Sequence, residues 1–154
     1  MREGNEDNFL VADVARGHQG MDSPLRSHEL DPQGGSLFVV CDGMGGALAG
    51  EVASKMAAER IYEVMRRDPL PISHQMLVRR LDRAIKEASL EIFESSRRDM
   101  KRRGMGTTVT ASALIDGRIF IGQVGDSRAY IMRRDEIFLL TKDQSLLNQL
   151  LEAG

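Results

Sequence analysis

Short apolar runs and two long amphipathic stretches succeed one another along the chain, and the change of period marks out its elements. Residues 8–14 are an apolar-rich segment of strand length. Residues 16–35 turn to Gly, His, Asp, Ser, Pro and Gln, which is loop chemistry. Residues 36–41 form a second apolar run that stops at Asp42-Gly43. Two helices follow. Ala49, Ala53, Ala57, Ile61 and Met65 recur every fourth residue, Val64 broadens the stripe, and Asp68-Pro69 ends it. Ser73 is placed to cap a second helix, whose stripe is Leu77, Leu81, Ala84, Ile85, Ala88 and Ile92. The period then shortens to that of strands. Residues 107–115 alternate and are rich in β-branched side chains, Asp116-Gly117 is a two-residue hairpin signal, and residues 118–124 return antiparallel. Gly125-Asp126 interrupts, residues 127–132 resume, residues 133–136 make a polar turn, and residues 137–140 form another strand. From Thr141 onward the pattern predicts the first turns of a helix.

Strands, two helices and then consecutive hairpins predict an α+β fold dominated by antiparallel sheet. A chain of 154 residues is of one-domain size and supports a single core. At 42% hydrophobic and 29% charged, its composition argues against disorder. The longest apolar run, residues 37–41, is far short of the roughly 20 residues of a spanning helix, so no membrane partner is expected. With 21 basic and 23 acidic side chains the net charge is -2, which leaves no global basic field for nucleic acid. Lys101-Arg102-Arg103 and Arg133-Arg134 are local basic spots, either solvated loop residues or docking points for a phosphorylated partner. The single cysteine, Cys41, excludes an intrachain disulfide and suits a buried, reduced thiol. No apolar leader-like segment opens the sequence, so the cytoplasm is the expected location.

Four clusters carry candidate chemistry. Asp42-Gly43-Met44-Gly45-Gly46 joins a carboxylate to a flexible backbone whose carbonyl could face the same hard cation, such as Mg²⁺ or Mn²⁺; alone, it equally fits a glycine-rich turn capped by Asp42. Arg2-Glu3-Gly4-Asn5-Glu6-Asp7 offers a guanidinium fork for phosphate beside carboxylates, or else a charged, frayed terminus. Gly125-Asp126-Ser127-Arg128 puts an acidic residue between strand segments, as a bulge or tight turn also would. Gly104-Met105-Gly106-Thr107-Thr108 marks a flexible entry into a sheet. Competing chemistry is weak. No P-loop sequence occurs, His18, His28 and His74 lack zinc spacing, and Ser127 has neither a nucleophile-elbow context nor a credible base beside it.

Taken in order, and with Gly50-Glu51-x-Ala53-Ser54 and Val124-Gly125-Asp126-Ser127-Arg128-Ala129-Tyr130 added, these clusters resemble the type-2C metal-dependent Ser/Thr protein phosphatases, above all the compact bacterial members. The resemblance covers essentially the whole chain. It implies an antiparallel β-sandwich flanked by helix pairs, in α-β-β-α layers. It implies hydrolysis of phosphoserine or phosphothreonine in proteins by a metal-activated water, using two Mn²⁺ or Mg²⁺ ions and a third, looser one. Asp42 would bridge two ions, the Gly43 carbonyl would bind one, Asp126 would serve the third, and Glu6 and Asp7 would lie in the outer shell. Arg2 would hold the substrate phosphate and, with Asp42, count as catalytic. The implied partner is a phosphorylated protein, the product of a Ser/Thr kinase, met by a monomer; nucleic acid and membrane are not implied.

Departures from the pattern matter too. The family's further metal aspartates, in an Asp-Gly and an Asp-Asn motif, have no counterpart before Gly154. Residues 1–154 are therefore expected to be the N-terminal portion of a single catalytic domain, a sandwich incomplete at its C-terminus. Met44 and Gln144 stand where histidine is common in the family, and methionine has no proton to donate to a leaving group. The alternative is a catalytically impaired, phosphatase-like binding or regulatory module. A third reading is an assembly fragment that completes its sheet with another chain.

Overall fold

The computed structural model describes residues 5–14, 17–20, 35–45, 48–67 and 73–144. Its elements are β1 (Asp7–Asp13), β2 (His18–Gly20), β3 (Ser36–Met44), α1 (Ala49–Arg66), α2 (His74–Arg98), a 3-10 turn (Met100–Arg102), β4 (Gly106–Thr107), β5 (Val109–Ile115), β6 (Arg118–Val124), β7 (Tyr130–Arg133) and β8 (Glu136–Leu139). The main sheet runs β2-β1-β3-β5-β6, with β4 paired to the end of β3, and β7-β8 form a separate hairpin. Every pairing among these strands is antiparallel.

Both helices lie on one face of the main sheet. α1 rests on β1 and β3, and α2 packs beside α1 and reaches β6. The sheet contributes Leu10, Ala12, Leu37, Val39, Cys41, Val109, Ala111 and Ala113 to that face. α1 answers with Ala49, Ala53, Ala57, Ala58, Ile61 and Met65, and the run of alanines lets the helix settle close to the strands. The α2 stripe is buried as its spacing predicts. Ser73 caps α2 by accepting a bond from the Met76 amide at 3.3 Å. Asp116 and Gly117 both have positive φ, 50° and 69°, as a two-residue hairpin turn of this twist requires.

The opposite face of the sheet also carries apolar side chains, among them Phe9, Val11, Phe38 and Ile121 in register across the strands. Val40 and Ile119 on that face are 51% and 52% exposed. A fully buried side chain of this kind is worth about 1.5–3 kcal/mol, so much of that contribution goes unrealised here. The β7-β8 hairpin is likewise exposed along its length. Among the described residues the layering is therefore one helix pair, one full sheet and a two-stranded piece of a second.

The structure departs from the sequence pattern in five places. β3 does not stop at Cys41 but continues to Met44, because β1 pairs with it as far as Asp42 and β4 pairs with its last two residues. β2, a three-residue edge strand in the loop-like stretch, pairs with the end of β1. The strand expected over residues 107–115 is broken at Thr108, whose amide turns to the Asp42 carbonyl at 2.9 Å. Residues 125–129 are irregular, so the strand expected from Ser127 begins at Tyr130. Residues 141–144 are not helical, and the rest of that predicted helix, like Asp68 and Pro69, lies outside the described residues.

Burial pushes the Cys41 thiol up to about 12. The folded chain thus holds that proton more tightly than an unfolded one does. This contribution to stability is complete below about pH 8.5 and fades as pH rises toward the folded value. Alkylation by iodoacetamide at pH 8 is expected to be negligible in the folded chain and fast in urea. Equal rates in both would show that the core around Cys41 is not formed. No helix among the described residues is long and apolar enough to cross a membrane.

Candidate functional site

Register makes the site. β1 and β3 pair so that Asp7 lies directly opposite Asp42. Residues opposed in this way share a face, with Cβ atoms about 4.5–5.5 Å apart. Both aspartates are exposed, and both project from the face away from the helices. Two like charges directly opposed destabilise a strand pair unless a cation lies between or beside them. Met44 follows on the same face of β3, 54% exposed, so a thioether rather than a proton donor borders the carboxylates.

Glu6 approaches the same sheet end from the helix side. The Glu6 carbonyl accepts the Gly43 amide at 3.2 Å and the Ser54 hydroxyl at 2.6 Å. Ser54, fully buried on α1, also accepts a bond from the Asn8 amide group at 2.8 Å. Asn8 and Ser54 therefore clamp the segment that presents Glu6 and Asp7. Closest packing occurs where β3 meets the first turn of α1. A Cβ on Gly43 would stand 2.1 Å from the Gly50 carbonyl oxygen, and one on Gly50 would stand 2.6 Å from Glu6 Oε2. Only glycine at both positions lets strand, helix and the Glu6 carboxylate meet. Leu48, just before the helix, holds a left-handed conformation with φ 54°, a backbone cost of about 1–2 kcal/mol borne beside the site.

Thr107 and Thr108 lock the Asp42 backbone from the other side. Thr108 Oγ1 accepts the Asp42 amide at 3.0 Å, and Thr107 Oγ1 donates to the Asp42 carbonyl at 3.0 Å. Thr108 Oγ1 also lies 2.8 Å from Ser127 Oγ, which ties the Asp42 strand to the loop carrying Asp126. Gly125 opens that loop with φ 98°. Gln144 closes around it, donating its backbone N–H to the Gly125 carbonyl at 2.9 Å and accepting the Gly125 backbone N–H on its side-chain Oε1 at 3.3 Å. Arg128 Nε donates to Asp143 at 2.8 Å. That bond holds the Asp143 carboxyl below its usual range and the guanidinium above its own.

The structure thus brings Asp7, Asp42 and Gly43 together, sets Glu6 behind them, and links the Asp126 loop to Asp42 through one threonine. It does not gather three carboxylate, His or Cys side chains into one cluster among the described residues. Arg2 and Gly46 lie outside the described residues. Of the supporting side chains, Ser54 and Thr108 stand in glycine-containing runs that carry the resemblance, whereas Asn8 and Asp143 carry no signal of their own in the sequence. Two carboxylates opposed across paired, braced strands are the kind of oxygen donor a hard divalent cation takes.

Comparison with known proteins gives a consistent picture. The family profile described as Protein phosphatase 2C matches residues 23–149. The serine/threonine phosphatase stp of Listeria innocua is 35% identical over 118 residues, covering 77% of this chain and 47% of that protein. The crystal structure of serine/threonine phosphatase Stp1 from Staphylococcus aureus superposes with a TM-score of 0.79 at 29% identity, over 99% of this chain and 53% of that one. The catalytic domain of the serine/threonine protein phosphatase PstP, solved in complex with two manganese ions, gives a TM-score of 0.71 at 28% identity, over 100% of this chain and 56% of that one. The chain spans about half the length of the curated relatives it matches.

Proposed function

The chain belongs to the protein phosphatase 2C family, and from that premise we propose that its carboxylate site serves metal-dependent hydrolysis of phosphoserine and phosphothreonine in proteins. The observation that carries the reading is the opposed Asp7–Asp42 pair, held in register at an open sheet end. Asp42 and the Gly43 carbonyl would hold Mn²⁺ or Mg²⁺, with Asp7 beside them and Glu6 behind. Asp126 would serve a further ion, and Arg2 the substrate phosphate. When bound, such ions supply positive charge that makes water nucleophilic near neutral pH and balances the charge of the reacting phosphoryl group.

The hydroxyls and thiol near the site leave water as the nucleophile. Ser54 is fully buried with its oxygen committed to Glu6 and Asn8. Thr108 is 3% exposed, and its hydroxyl is shared between Asp42 and Ser127. Cys41 is buried with a thiol that stays protonated at neutral pH. The chain's own work is therefore to place carboxylates rigidly, which the Thr107, Thr108 and Ser54 bonds accomplish. We also propose that the chain is the N-terminal portion of one catalytic domain and that it acts as a cytoplasmic monomer on the products of a Ser/Thr kinase. Aspartates from the remaining portion would complete the ligand set, so ion binding by residues 1–154 alone is expected to be weak.

Hydrolysis of p-nitrophenyl phosphate, followed while Mn²⁺ is titrated from zero to saturation, tests the reading. Turnover should rise with Mn²⁺ and vanish in EDTA. Turnover indifferent to metal, or a folded chain that does not take up Mn²⁺ at any concentration, would overturn it.

A further inference from the structure

The cavities and charged patches away from the carboxylates differ in what they could bind. An apolar cavity of about 200 Å³ lies between α2 and the β4–β6 edge, beside Phe93 and Val124, but nothing shows what would cover it. The basic run at residues 101–103 does not act as a patch, because Arg102 turns to Ser95 and Asp99. A basic surface lies where α1 ends and α2 begins. A groove of about 540 Å³ there is lined by Val64, Arg67, Met76, Arg79, Arg80 and Arg83, with no carboxylate among these residues.

Several of those guanidiniums are already oriented. Arg83 Nε donates to Glu87 at 2.7 Å, and Arg67 reaches the same carboxylate at 3.2 Å, which leaves both groups half open to solvent. Arg80 donates to the Met65 carbonyl at 3.4 Å at the end of α1. Arg79 is exposed on the same stripe of α2. The floor is apolar, from buried Val64 and from Met76, which is 55% exposed. Oriented guanidinium forks lose little freedom on binding and match the oxygens of a phosphate bidentately.

We propose that this groove docks a phosphorylated segment of a protein at a second site, separate from the carboxylates. A phosphorylated side chain presents nearly two charges and three strong acceptors to the arginines, while Met76 meets an apolar neighbour of that residue. Nucleic acid fits less well, because the lining offers no aromatic ring on which a base could stack. From Gly50 beside the site to Val64 in the groove, α1 rises roughly 21 Å at about 1.5 Å per residue. A substrate engaging both places would need its docking and scissile phosphates separated by at least about six extended residues. The choice of a phosphorylated protein as ligand rests on the phosphatase reading, whereas the groove's preference for phosphate does not.

Fluorescence anisotropy in EDTA reads docking without hydrolysis. The probe is a labelled twelve-residue peptide carrying one phosphothreonine among neutral residues, compared with its unphosphorylated and glutamate-substituted twins. The phosphopeptide should bind in preference to both, and Arg79→Glu should weaken it about tenfold, with Arg79→Lys recovering part of the loss. An Arg79→Glu chain with unchanged affinity would overturn the proposal, as would equal binding of the glutamate twin. Tighter Arg79-dependent binding of a single-stranded oligonucleotide or of anionic vesicles would overturn it too. Docking that persists where Mn²⁺-dependent hydrolysis fails would count against the catalytic reading alone; hydrolysis that persists without docking would count against the groove alone.

Discussion

Asp42→Asn is expected to abolish both the stabilisation of the chain by Mn²⁺ and its Mn²⁺-dependent turnover. Asp42 faces Asp7 across the β1–β3 ladder, and a cation held beside the two carboxylates offsets the repulsion between like charges so opposed. The amide keeps the size of the side chain and leaves the backbone bonds to Thr107 and Thr108 in place. A bound ion adds to the stability of the folded chain. At a hundred times its dissociation constant it stabilises the folded chain by about 2.7 kcal/mol, and the variant forgoes that gain. Turnover should fall by at least about a hundredfold, on the scale of losing one preorganised electrostatic partner. Thermal unfolding of both chains with and without Mn²⁺ reads the first effect, and an activity assay the second. A variant that Mn²⁺ still stabilises as much as it does the parent chain would show that Asp42 is not a ligand.

Gly43→Ala should damage the fold itself. Its Cβ would meet the Gly50 carbonyl oxygen at 2.1 Å and the Glu6 carbonyl oxygen at 2.5 Å. Both are backbone atoms, so no side-chain rotation relieves the overlap. Either α1 moves off the sheet or the Gly43–Glu6 hydrogen bond breaks, and each route also displaces Asp42. The expected loss is about 4 kcal/mol or more, in the range reserved for core and backbone clashes. That is a large share of the 5–15 kcal/mol typical of a whole domain. Gly106→Ala on the adjoining strand is the matched control, since its nearest contact would be Met44 Cγ at an ordinary 3.4 Å. Urea unfolding should therefore show a large drop for the first substitution and almost none for the second. Similar midpoints would mean that the β3–α1 contact is looser than these distances require.

How far the fold could be read along the chain depended on how local each signal was. The stripes of α1 and α2 were legible because a helix repeats within a few residues, and every apolar position predicted for α2 is buried. The Asp116-Gly117 turn was legible for the same reason. β2 was not, because His18-Gln19-Gly20 has no alternation and is a strand only by pairing with β1. The extension of β3 through Gly43 and Met44 was hidden too: glycine argues against a strand, and the pairing with Gly106 and Thr107 that carries it comes from far along the chain. The break at Thr108 likewise exists because its amide and hydroxyl are spent on Asp42.

The same division runs through the site. By itself the sequence determined the types of the longer elements, the buried helix faces and the residue types that resemble a metal-dependent phosphatase, including Glu6, Asp7, Asp42, Gly43 and Asp126. Only the tertiary structure decided that Asp7 and Asp42 share a face, that Glu6 comes from the helix side against Gly50, and that Thr108 joins Asp42 to the Asp126 loop. It also brought Arg67 into one groove with the arginines of α2. Periodicity records how one segment meets its own neighbours. Register between strands and the approach of a helix to a sheet are set by packing and by hydrogen bonds between distant segments, which no local pattern encodes.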